Sequence, residues 1–258
     1  MLRMINKSMW HGWPIALAII WAVTLFPAHA DRVQMIDVEP LVHVSFDDGA
    51  DDIADSALTN GIVGKGLIIG EAPSLVRTFP QPLSLSQGSI VLWFCPIDWD
   101  DVSYVELLKM MGSSDGRSSI RLRLYVVSHH WRGLTVLQYL ASGSRVSFYC
   151  NRSYVDHWKA DPTQWRHIAF TWDASGGLLY VDGLETSRDR QIGQAMEPFH
   201  ALRIGAPTVQ HLASGESVRT DCRTVLDEIR LYDTVLTPEQ IRADYESLMG
   251  SLVEADNF

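Results

Sequence analysis

The chain has 258 residues, of which 47% are hydrophobic and 20% are charged. These are ordinary values for a globular protein, and they exclude a collagen or a wholly disordered chain. The formal net charge is −10 and the sequence has no basic run, which excludes the usual nucleic-acid binder because phosphate contacts need clustered Lys and Arg.

Residues 1–30 have the pattern of an export signal. Arg3 and Lys7 precede an apolar stretch at 15–26 (IALAIIWAVTLF), and the small-x-small sequence AHA at 28–30 is typical of a cleavage site. An apolar run of about twelve residues is shorter than the roughly twenty that span a bilayer, so a retained anchor is the less favoured alternative. The sequence therefore predicts a cleaved signal peptide and a product that is secreted, periplasmic or at the cell surface, with no membrane span after cleavage.

The part of the chain after the signal contains three cysteines, an odd number that permits at most one intramolecular disulfide. Cys95 ends an apolar run and is predicted to be a small core residue. The favoured bridge is then Cys150–Cys222, and three buried free thiols are the alternative. No CxxC and no Cys/His pair at zinc spacing occurs, so a structural zinc site is not expected.

After the signal, short apolar segments alternate with clusters of Gly, Ser, Asn and Asp, a pattern typical of an all-β sandwich. In the segment 120–127, Ile120 and Leu122 fall on one face, while Arg121 and Arg123 fall on the other. That strand should cover the core on one face only. The predicted strands, in two stacked sheets, are 41–46, 66–69, 89–94, 120–127, 134–141, 145–150, 167–172, 178–181, 202–204 and 226–232.

Turn and helix signals delimit the last third of the chain. Gly176-Gly177 and Asp182-Gly183 predict a turn on each side of the strand 178–181, because both pairs favour positive φ. In the final segment, Thr237 can cap a helix that begins at Pro238, and Gly250 can end it. We therefore expect one domain over 31–250, a short C-terminal helix and a frayed tail at 251–258.

Several segments, in this order, resemble the laminin-G-like, concanavalin A-like jelly-roll family. The resemblance implies a two-sheet antiparallel jelly roll that is used outside the cell, most often for non-catalytic binding of glycans or proteins. It is weakest between Trp99 and Lys159, where a specific ligand site would lie. The segments that carry it are VSFDDGADD (44–52), GIVGKGLII (61–69), SIVLWFCP (89–96), QWRHIAFTWDASGGLLYVDG (164–183), LRIGAP (202–207) and LDEIRLYDTVLTPEQIRADY (226–245).

A structural Ca²⁺ is frequent in that family, between the acidic loop after the first strand and the Asp of the closing Asp-Glu pair. The matching residues here are Asp47, Asp48 and Asp227. Carboxylates and backbone carbonyls are hard oxygen ligands, which suit Ca²⁺. The alternative is that Asp47-Asp48-Gly49 is an ordinary turn with solvated acids.

Aromatic residues are frequent in the part of the sequence that the resemblance does not cover. Aromatic rings stack on sugar faces because they bury apolar area while the hydroxyls stay hydrated. Trp131, Tyr149 and Trp158 are the candidate ligand contacts. The alternative is that they fill the core, as many aromatic side chains of large sandwiches do.

The sequence gives little support for catalysis. Glycan hydrolysis needs two carboxylates about 5–10 Å apart, and the hydrolases of this fold carry Glu-x-Asp-x-x-Glu on one strand, a spacing that does not occur here. No catalytic residues are therefore predicted, and the leading hypothesis is a lectin-like module for an extracellular polysaccharide or glycoconjugate. The alternatives are an envelope adhesion or scaffold protein that contacts a surface protein, and a divergent polysaccharide hydrolase or lyase.

Overall fold

A computed structural model describes residues 36–47, 53–70, 74–97, 104–112, 119–127, 131–139, 145–149, 164–189, 198–206 and 223–255. The chain divides into two units, Met1–Arg32 and Val33–Phe258, and every described residue lies in the second. Across the described ranges, none of the helices combines the length and the apolar character that crossing a membrane requires.

The described residues form fourteen strands. In chain order these are β1 Val42–Val44, β2 Leu58–Asn60, β3 Lys65–Ile69, β4 Leu75–Leu83, β5 Gly88–Pro96, β6 Tyr104–Met111, β7 Ser119–Val127, β8 Trp131–Tyr139, β9 Arg145–Tyr149, β10 Arg166–Asp173, β11 Gly176–Val181, β12 Leu184–Asp189, β13 Phe199–Ala206 and β14 Thr224–Tyr232. One helix, α1, spans Pro238–Ala255, and a single 3-10 turn spans Asp55–Ala57.

The strands build two sheets in which the described pairs are antiparallel. The larger sheet has the order β12-β11-β10-β5-β14-β3-β2, with β1 also paired to β14, and the smaller sheet has the order β4-β13-β6-β7-β8-β9. This two-sheet antiparallel jelly-roll sandwich with one C-terminal helix confirms the fold class predicted from the sequence.

The core lies between the sheets because each central strand turns alternate side chains inward. In β10, Ile168, Phe170 and Trp172 are fully or almost fully buried and belong to one apolar cluster. Phe148 from β9 meets Phe170 with ring centroids 4.9 Å apart, so this contact joins the two sheets. Cys95 is buried in the core, as its position in an apolar run predicted.

All ten predicted strands are present, with ends that differ by a few residues, but the sequence missed β2, β4, β6 and β12. Pro80 and Pro82 concealed β4, because proline interrupts a strand pattern. The structure accommodates both prolines because β4 lies at the edge of the smaller sheet, where a missing N–H breaks no ladder.

The helix begins where the sequence predicted and ends later. The Thr237 Oγ1 accepts a hydrogen bond from the Gln240 N–H at 3.2 Å, and the Gln240 side chain accepts one from the Thr237 N–H at 2.9 Å. This reciprocal pair is a capping box. The predicted end at Gly250 is wrong, because α1 continues to Ala255. Gly250 is exposed and helical, so its lack of a side chain did not stop the helix here.

Of the two turns predicted around β11, one is confirmed and the other lies earlier in the chain. Asp182 and Gly183 have φ of 50° and 75°, which confirms the predicted turn into β12. The predicted Gly176-Gly177 turn is wrong, because both glycines are the first residues of β11 and Gly176 pairs with Asp173. The chain turns just before these glycines, where the Asp173 carboxylate accepts hydrogen bonds from the Ser175 N–H and hydroxyl at 2.6 and 2.5 Å.

Candidate ligand-binding surfaces

Two of the predicted metal ligands hold the turn between β2 and β3. The Lys65 N–H donates to Asp47 Oδ1 at 2.7 Å, and the Val63 N–H donates to Asp227 Oδ2 at 3.1 Å. The same turn is thus held by one carboxylate from the segment that follows β1 and by one from β14. The structure brings Asp47 and Asp227 to one turn, as the resemblance implied, while Asp48 lies outside the described residues.

Glycine allows this approach of the carboxylates to the turn. A Cβ on Gly61 would collide with Asp227 Oδ2, and a Cβ on Gly64 would collide with Asp47 Oδ1. Gly64 also has a φ of 52°, in the left-handed region that glycine adopts without strain. The turn is therefore shaped to receive both side chains.

Asp227 is an unusual carboxylate because its side chain is fully buried. Its oxygens accept backbone hydrogen bonds from Val63 and from Glu228, the second at 2.8 Å, and it forms no ion pair with a described residue. Burial, with a smaller contribution from the nearby carboxylates of Glu228 and Asp47, raises the pKa of Asp227 to about 6. A bound cation would compensate this charge. Three or more potential metal-ligating side chains do not cluster anywhere in the described ranges, so Asp47 and Asp227 form at most part of a site.

The outer face of the larger sheet is covered by α1. Leu236 and Ile241, at the start of the helix, pack on Val91, Ala169 and Tyr232 in a second apolar cluster. This cluster closes the middle of that face against a ligand.

Beside this cluster lies a buried ionic network. The two Arg230 amino groups donate to the Asp244 carboxylate at 2.7 and 2.8 Å, and His167 Nε2 lies 3.1 Å from the same carboxylate. Burial alone would raise the pKa of Asp244, but the His167 hydrogen bond and the Arg230 charge hold it below its ordinary value. The network ties α1 to β10 and β14. Sequence reasoning missed it, because no local spacing connects an Arg on a strand with an Asp on a helix.

Aromatic rings complete the contact between α1 and the sheet. Tyr245 of the helix stacks on Trp93 of β5 with centroids 5.9 Å apart, and His167 lies against the same ring at 4.9 Å. Trp93 and His167 are both fully buried. Trp93 and His167 therefore support the helix from below and are not available to a ligand.

A pocket of ≈ 400 Å³ opens beside the start of α1. Its two charged side chains are engaged by close neighbours: Asp173 accepts from Ser175, and Arg188 forms two hydrogen bonds with Glu185 at 3.0 and 2.9 Å. The charged side chains of the pocket are therefore already engaged in hydrogen bonds within the protein, and few polar groups remain for a ligand. The lining residues are Thr171, Trp172, Asp173, Ser175, Gly176, Gly177, Leu178, Arg188 and Val235.

The outer face of the smaller sheet has a different character. Arg203 of β13 pairs in register with Lys109 of β6, and Lys109 pairs with Arg121 of β7. All three side chains are half-buried. Arg203 also forms an ion pair with Glu106 at 2.6 Å. We call these three cations the basic row. The alternation in 120–127 predicted an outward Arg121, but the missed strand β6 concealed its partner Lys109.

The predicted aromatic contacts belong partly to this sheet. Trp131 begins β8 and pairs in register with Val127, while Tyr149 ends β9 and pairs with Thr135. Their backbones therefore lie on neighbouring strands, and their side chains lie outside the described part of the structure. Trp158 and the predicted bridge Cys150–Cys222 also lie outside the described residues, so these assignments stay predictions.

Comparison with known protein families gives one match over most of the chain. The family model described as the concanavalin A-like lectin/glucanases superfamily matches residues 74–242. This range includes strands of both sheets and the start of α1. No curated protein matches the chain.

Solved structures give the same fold. Domain 4 of AbnA, a GH43 extracellular arabinanase from Geobacillus stearothermophilus solved with arabinotriose, is 19% identical at a TM-score of 0.54, with 79% of this chain and 97% of that chain covered. The binding domain of botulinum neurotoxin serotype G is 9% identical at a TM-score of 0.59, with 80% and 50% covered. That of neurotoxin DC, solved with SialylT, is 10% identical at a TM-score of 0.55, with 74% and 45% covered. The chain thus spans about half the length of these toxin domains.

Proposed function

Because the chain belongs to the concanavalin A-like lectin/glucanase superfamily, we propose that it is a secreted, non-catalytic module that binds an extracellular glycan. The fold hosts both binding modules and enzymes, so the site has to decide between them. Solved structures with this fold include binding domains of neurotoxins, one of them with SialylT, and a domain of an arabinanase with arabinotriose. They support a binding module, and the choice of surface comes from this chain's own residues.

The observation that carries the proposal is the difference between the two outer faces. On the larger sheet, α1 and its buried network occupy the face. On the smaller sheet, no described helix packs on the outer face, and it carries the half-buried polar side chains of Lys109, Arg121 and Arg203. Polar groups that converge on an open surface are what orients a sugar. The proposed binding face is therefore the outer face of the smaller sheet, with Trp131 and Tyr149 on β8 and β9 as its proposed aromatic contacts.

The roles of the described carboxylates support a non-catalytic function. Asp244 is held by Arg230 and His167 beneath the helix. Asp47 and Asp227 bind backbone N–H groups of a turn. Each of these acids supports the fold. A glycoside hydrolase would instead place two carboxylates on either side of the scissile bond.

We also propose a structural Ca²⁺ between Asp47 and Asp227. The buried Asp227 carboxylate forms no ion pair with a described residue, and a second carboxylate on the same turn increases the local negative charge. Hard oxygen donors of this kind suit Ca²⁺. Such an ion would tie the first and last strands of the larger sheet to the turn between β2 and β3.

Export completes the proposal. The basic, apolar and small-residue order of residues 1–30 supports cleavage by a signal peptidase. Mass spectrometry of the protein recovered outside the cytoplasm tests this, with a new N-terminus at Asp31 expected. Recovery of the intact chain in the cytoplasm would contradict the assignment.

The function is tested by pull-down with a panel of neutral and acidic polysaccharides, with Ca²⁺ and with chelator, and with reducing-sugar release assayed on every hit. We expect binding to at least one polysaccharide without release of reducing sugar. Release would favour a hydrolase or lyase. No binding in either condition would contradict a glycan-binding function and favour a module that contacts a surface protein.

A further inference from the structure

Four aromatic residues occupy neighbouring positions at one end of the smaller sheet. Tyr104 of β6 is opposed in register to Tyr125 of β7, and Tyr125 is opposed to Gly133 of β8. Trp131 lies two positions before Gly133 on the same strand. Tyr149 of β9 is opposed to the residue two positions after Gly133. We call Tyr104, Tyr125, Trp131 and Tyr149 the aromatic cluster.

The aromatic cluster occupies the outer face of the sheet. Val136 of β8 and Phe148 of β9 are opposed in register and fully buried in the core between the sheets. Successive residues of a strand alternate between the two faces. Trp131 and Gly133 are an odd number of positions from Val136, and Tyr149 directly follows Phe148, so these three occupy outer-face positions. The two tyrosines in the same row as Gly133 share its face, because directly opposed residues do.

Gly133 lies at the centre of the cluster. Glycine weakens the interior of a strand because it has no side chain to pack, and it often marks a place where a ligand or another backbone approaches closely. Position 133 has Trp131 beside it along β8 and Tyr125 beside it across to β7. From the rise and spacing of strands, the backbones of Trp131 and Tyr149 are about 14 Å apart, a length that exceeds one sugar ring.

Charge favours a neutral ligand for this face. The chain has a net charge of −10, which repels an acidic polymer at long range. The basic row lies next to the cluster, since Arg121 and Tyr149 are opposed to positions of β8 that are two residues apart. Arg203 pairs with Glu106, and Lys109 and Arg121 also interact within the protein. The row therefore supplies polar groups for sugar hydroxyls and does not require an anion.

We propose that the aromatic cluster binds a chain of neutral sugars by stacking, with one sugar ring placed over Gly133. This inference rests on the proposed glycan-binding function and names the class of its ligand and the residues that select it. A sugar ring whose C–H groups gather on one face buries apolar area against an aromatic ring while its hydroxyls stay hydrated. Because the cluster extends from β6 to β9, a chain of several sugars makes more of these contacts than a single sugar does.

The test titrates the protein by calorimetry with neutral sugars from the monosaccharide to the hexasaccharide, in the cellulose, xylan and arabinan series. We expect at least one hexasaccharide to bind about ten times more tightly than its monosaccharide, since one added stacking contact is enough for that ratio. Polygalacturonate is the acidic probe, and it should bind more weakly than that hexasaccharide. The affinity for the hexasaccharide should change little with salt, because a neutral ligand has no charge to screen.

The first variant removes a ring from the centre of the cluster. Tyr125→Leu keeps an apolar side chain in the strand and should lose about tenfold in affinity for the hexasaccharide. Tyr139→Leu is the matched control. Tyr139 also occupies an outer-face position of β8, opposed to Ser119, but it lies six residues from Gly133, about 20 Å along the strand. Its substitution should leave the affinity unchanged.

The second variant fills the position without a side chain. Gly133→Val suits a strand better than glycine does, so the free energy of unfolding should stay equal or rise. A side chain at this position obstructs the sugar, and the affinity should fall about tenfold, as for the loss of a stacking contact. A lower free energy of unfolding with unchanged affinity would mean that Gly133 serves the fold alone. This variant also decides the question if Tyr125→Leu does not fold.

The outcomes separate this inference from the proposed function. A hexasaccharide that binds the Tyr125 and Gly133 variants as tightly as wild type would overturn the aromatic cluster and leave glycan binding in place. Equal affinities for hexasaccharide and monosaccharide would overturn the extended site. Binding of polygalacturonate alone would overturn the neutral class of ligand. Binding to no sugar or polysaccharide, neutral or acidic, would overturn both the inference and the proposed function.

Discussion

The two outer faces of the sandwich use charged side chains in opposite ways. On the larger sheet, Arg230 lies against Asp244, and the pair is covered by a helix. On the smaller sheet, Arg203, Lys109 and Arg121 are placed side by side and no described helix covers them. On the first face, opposite charges from the helix and the sheet meet in one buried network, whereas on the second, three cations lie side by side on neighbouring strands.

This difference is the basis of the proposal that the helix-covered face serves the fold and the other face binds a partner. A buried cation that loses its carboxylate partner cannot be solvated by water instead, so the folded state depends on the network under α1. On the smaller sheet, the half-buried polar side chains of Lys109, Arg121 and Arg203 lie on a face that no described helix covers. Substitutions on the helix-covered face should therefore change the stability of the protein, and, under the proposed function, substitutions on the outer face of the smaller sheet should change its binding.

The largest effect on stability is expected from Asp244→Ala. The substitution leaves Arg230 buried without its carboxylate and removes the partner of His167, so unfolding in urea should show a loss of about 3–5 kcal/mol. Glu246→Ala on the same helix is the matched control, because its pair with Arg242 is exposed and should contribute about 0–1 kcal/mol. Similar losses in both variants would contradict a special role for the buried network.

The same network should leave a signature in acid. The pKa of Asp244 is below its ordinary value of 3.8 in the folded protein, so the unfolded chain binds the proton more readily. The stability due to the ionised carboxylate is then complete above pH 3.8 and is lost as the pH falls through the lowered pKa. The difference in unfolding free energy between wild type and Asp244→Asn should shrink in that range, as urea titrations at several pH values would measure. A difference independent of pH would be evidence against this pKa shift.

A smaller and concentration-dependent effect is expected from Ca²⁺. If Asp227 is a ligand, Ca²⁺ at a hundred times its Kd should stabilise the wild type by about 2.7 kcal/mol, and chelator should lower its Tm. Asp227→Asn should show no response to either. An equal response of both proteins, measured by calorimetry, would remove Asp227 from the proposed site.

The smallest effect concerns the start of α1. Thr237→Ala removes one half of the capping box and should cost about 0.5–2 kcal/mol. Thr237→Ser keeps an acceptor for the Gln240 N–H and should cost less, since serine is also a good cap. Equal unfolding free energies of wild type and Thr237→Ala would mean that the cap does not stabilise the helix.

Local pattern was sufficient for much of the fold. The alternation of Ile120, Arg121 and Leu122 gave the inner and outer faces of β7, and Thr237 with Gln240 gave the start of the helix. In each case the residues that decide the structure are neighbours in the sequence. The end of the helix was less predictable, because Gly250 tolerates helix as well as the left-handed conformation.

Contacts between distant segments could not be read in the same way. Arg230 and Asp244 meet only because α1 folds back over β14, and Lys109 meets Arg121 only because β6 and β7 pair in one register. The resemblance helped at Asp47 and Asp227, where it placed the first and last strands together. It gave nothing for Lys109 and Arg121, which lie in the part of the chain where the motifs stop.

Hydrogen exchange of the protein with and without a bound polysaccharide tests the central claim most directly, because it maps the contact onto one face or the other. The glycan should slow backbone exchange in β6, β7 and β13, the strands that carry the basic row, and leave β10, β11 and β12 unchanged. Protection confined to those last three strands, around the ≈ 400 Å³ pocket beside the helix, would contradict the assignment of the binding face.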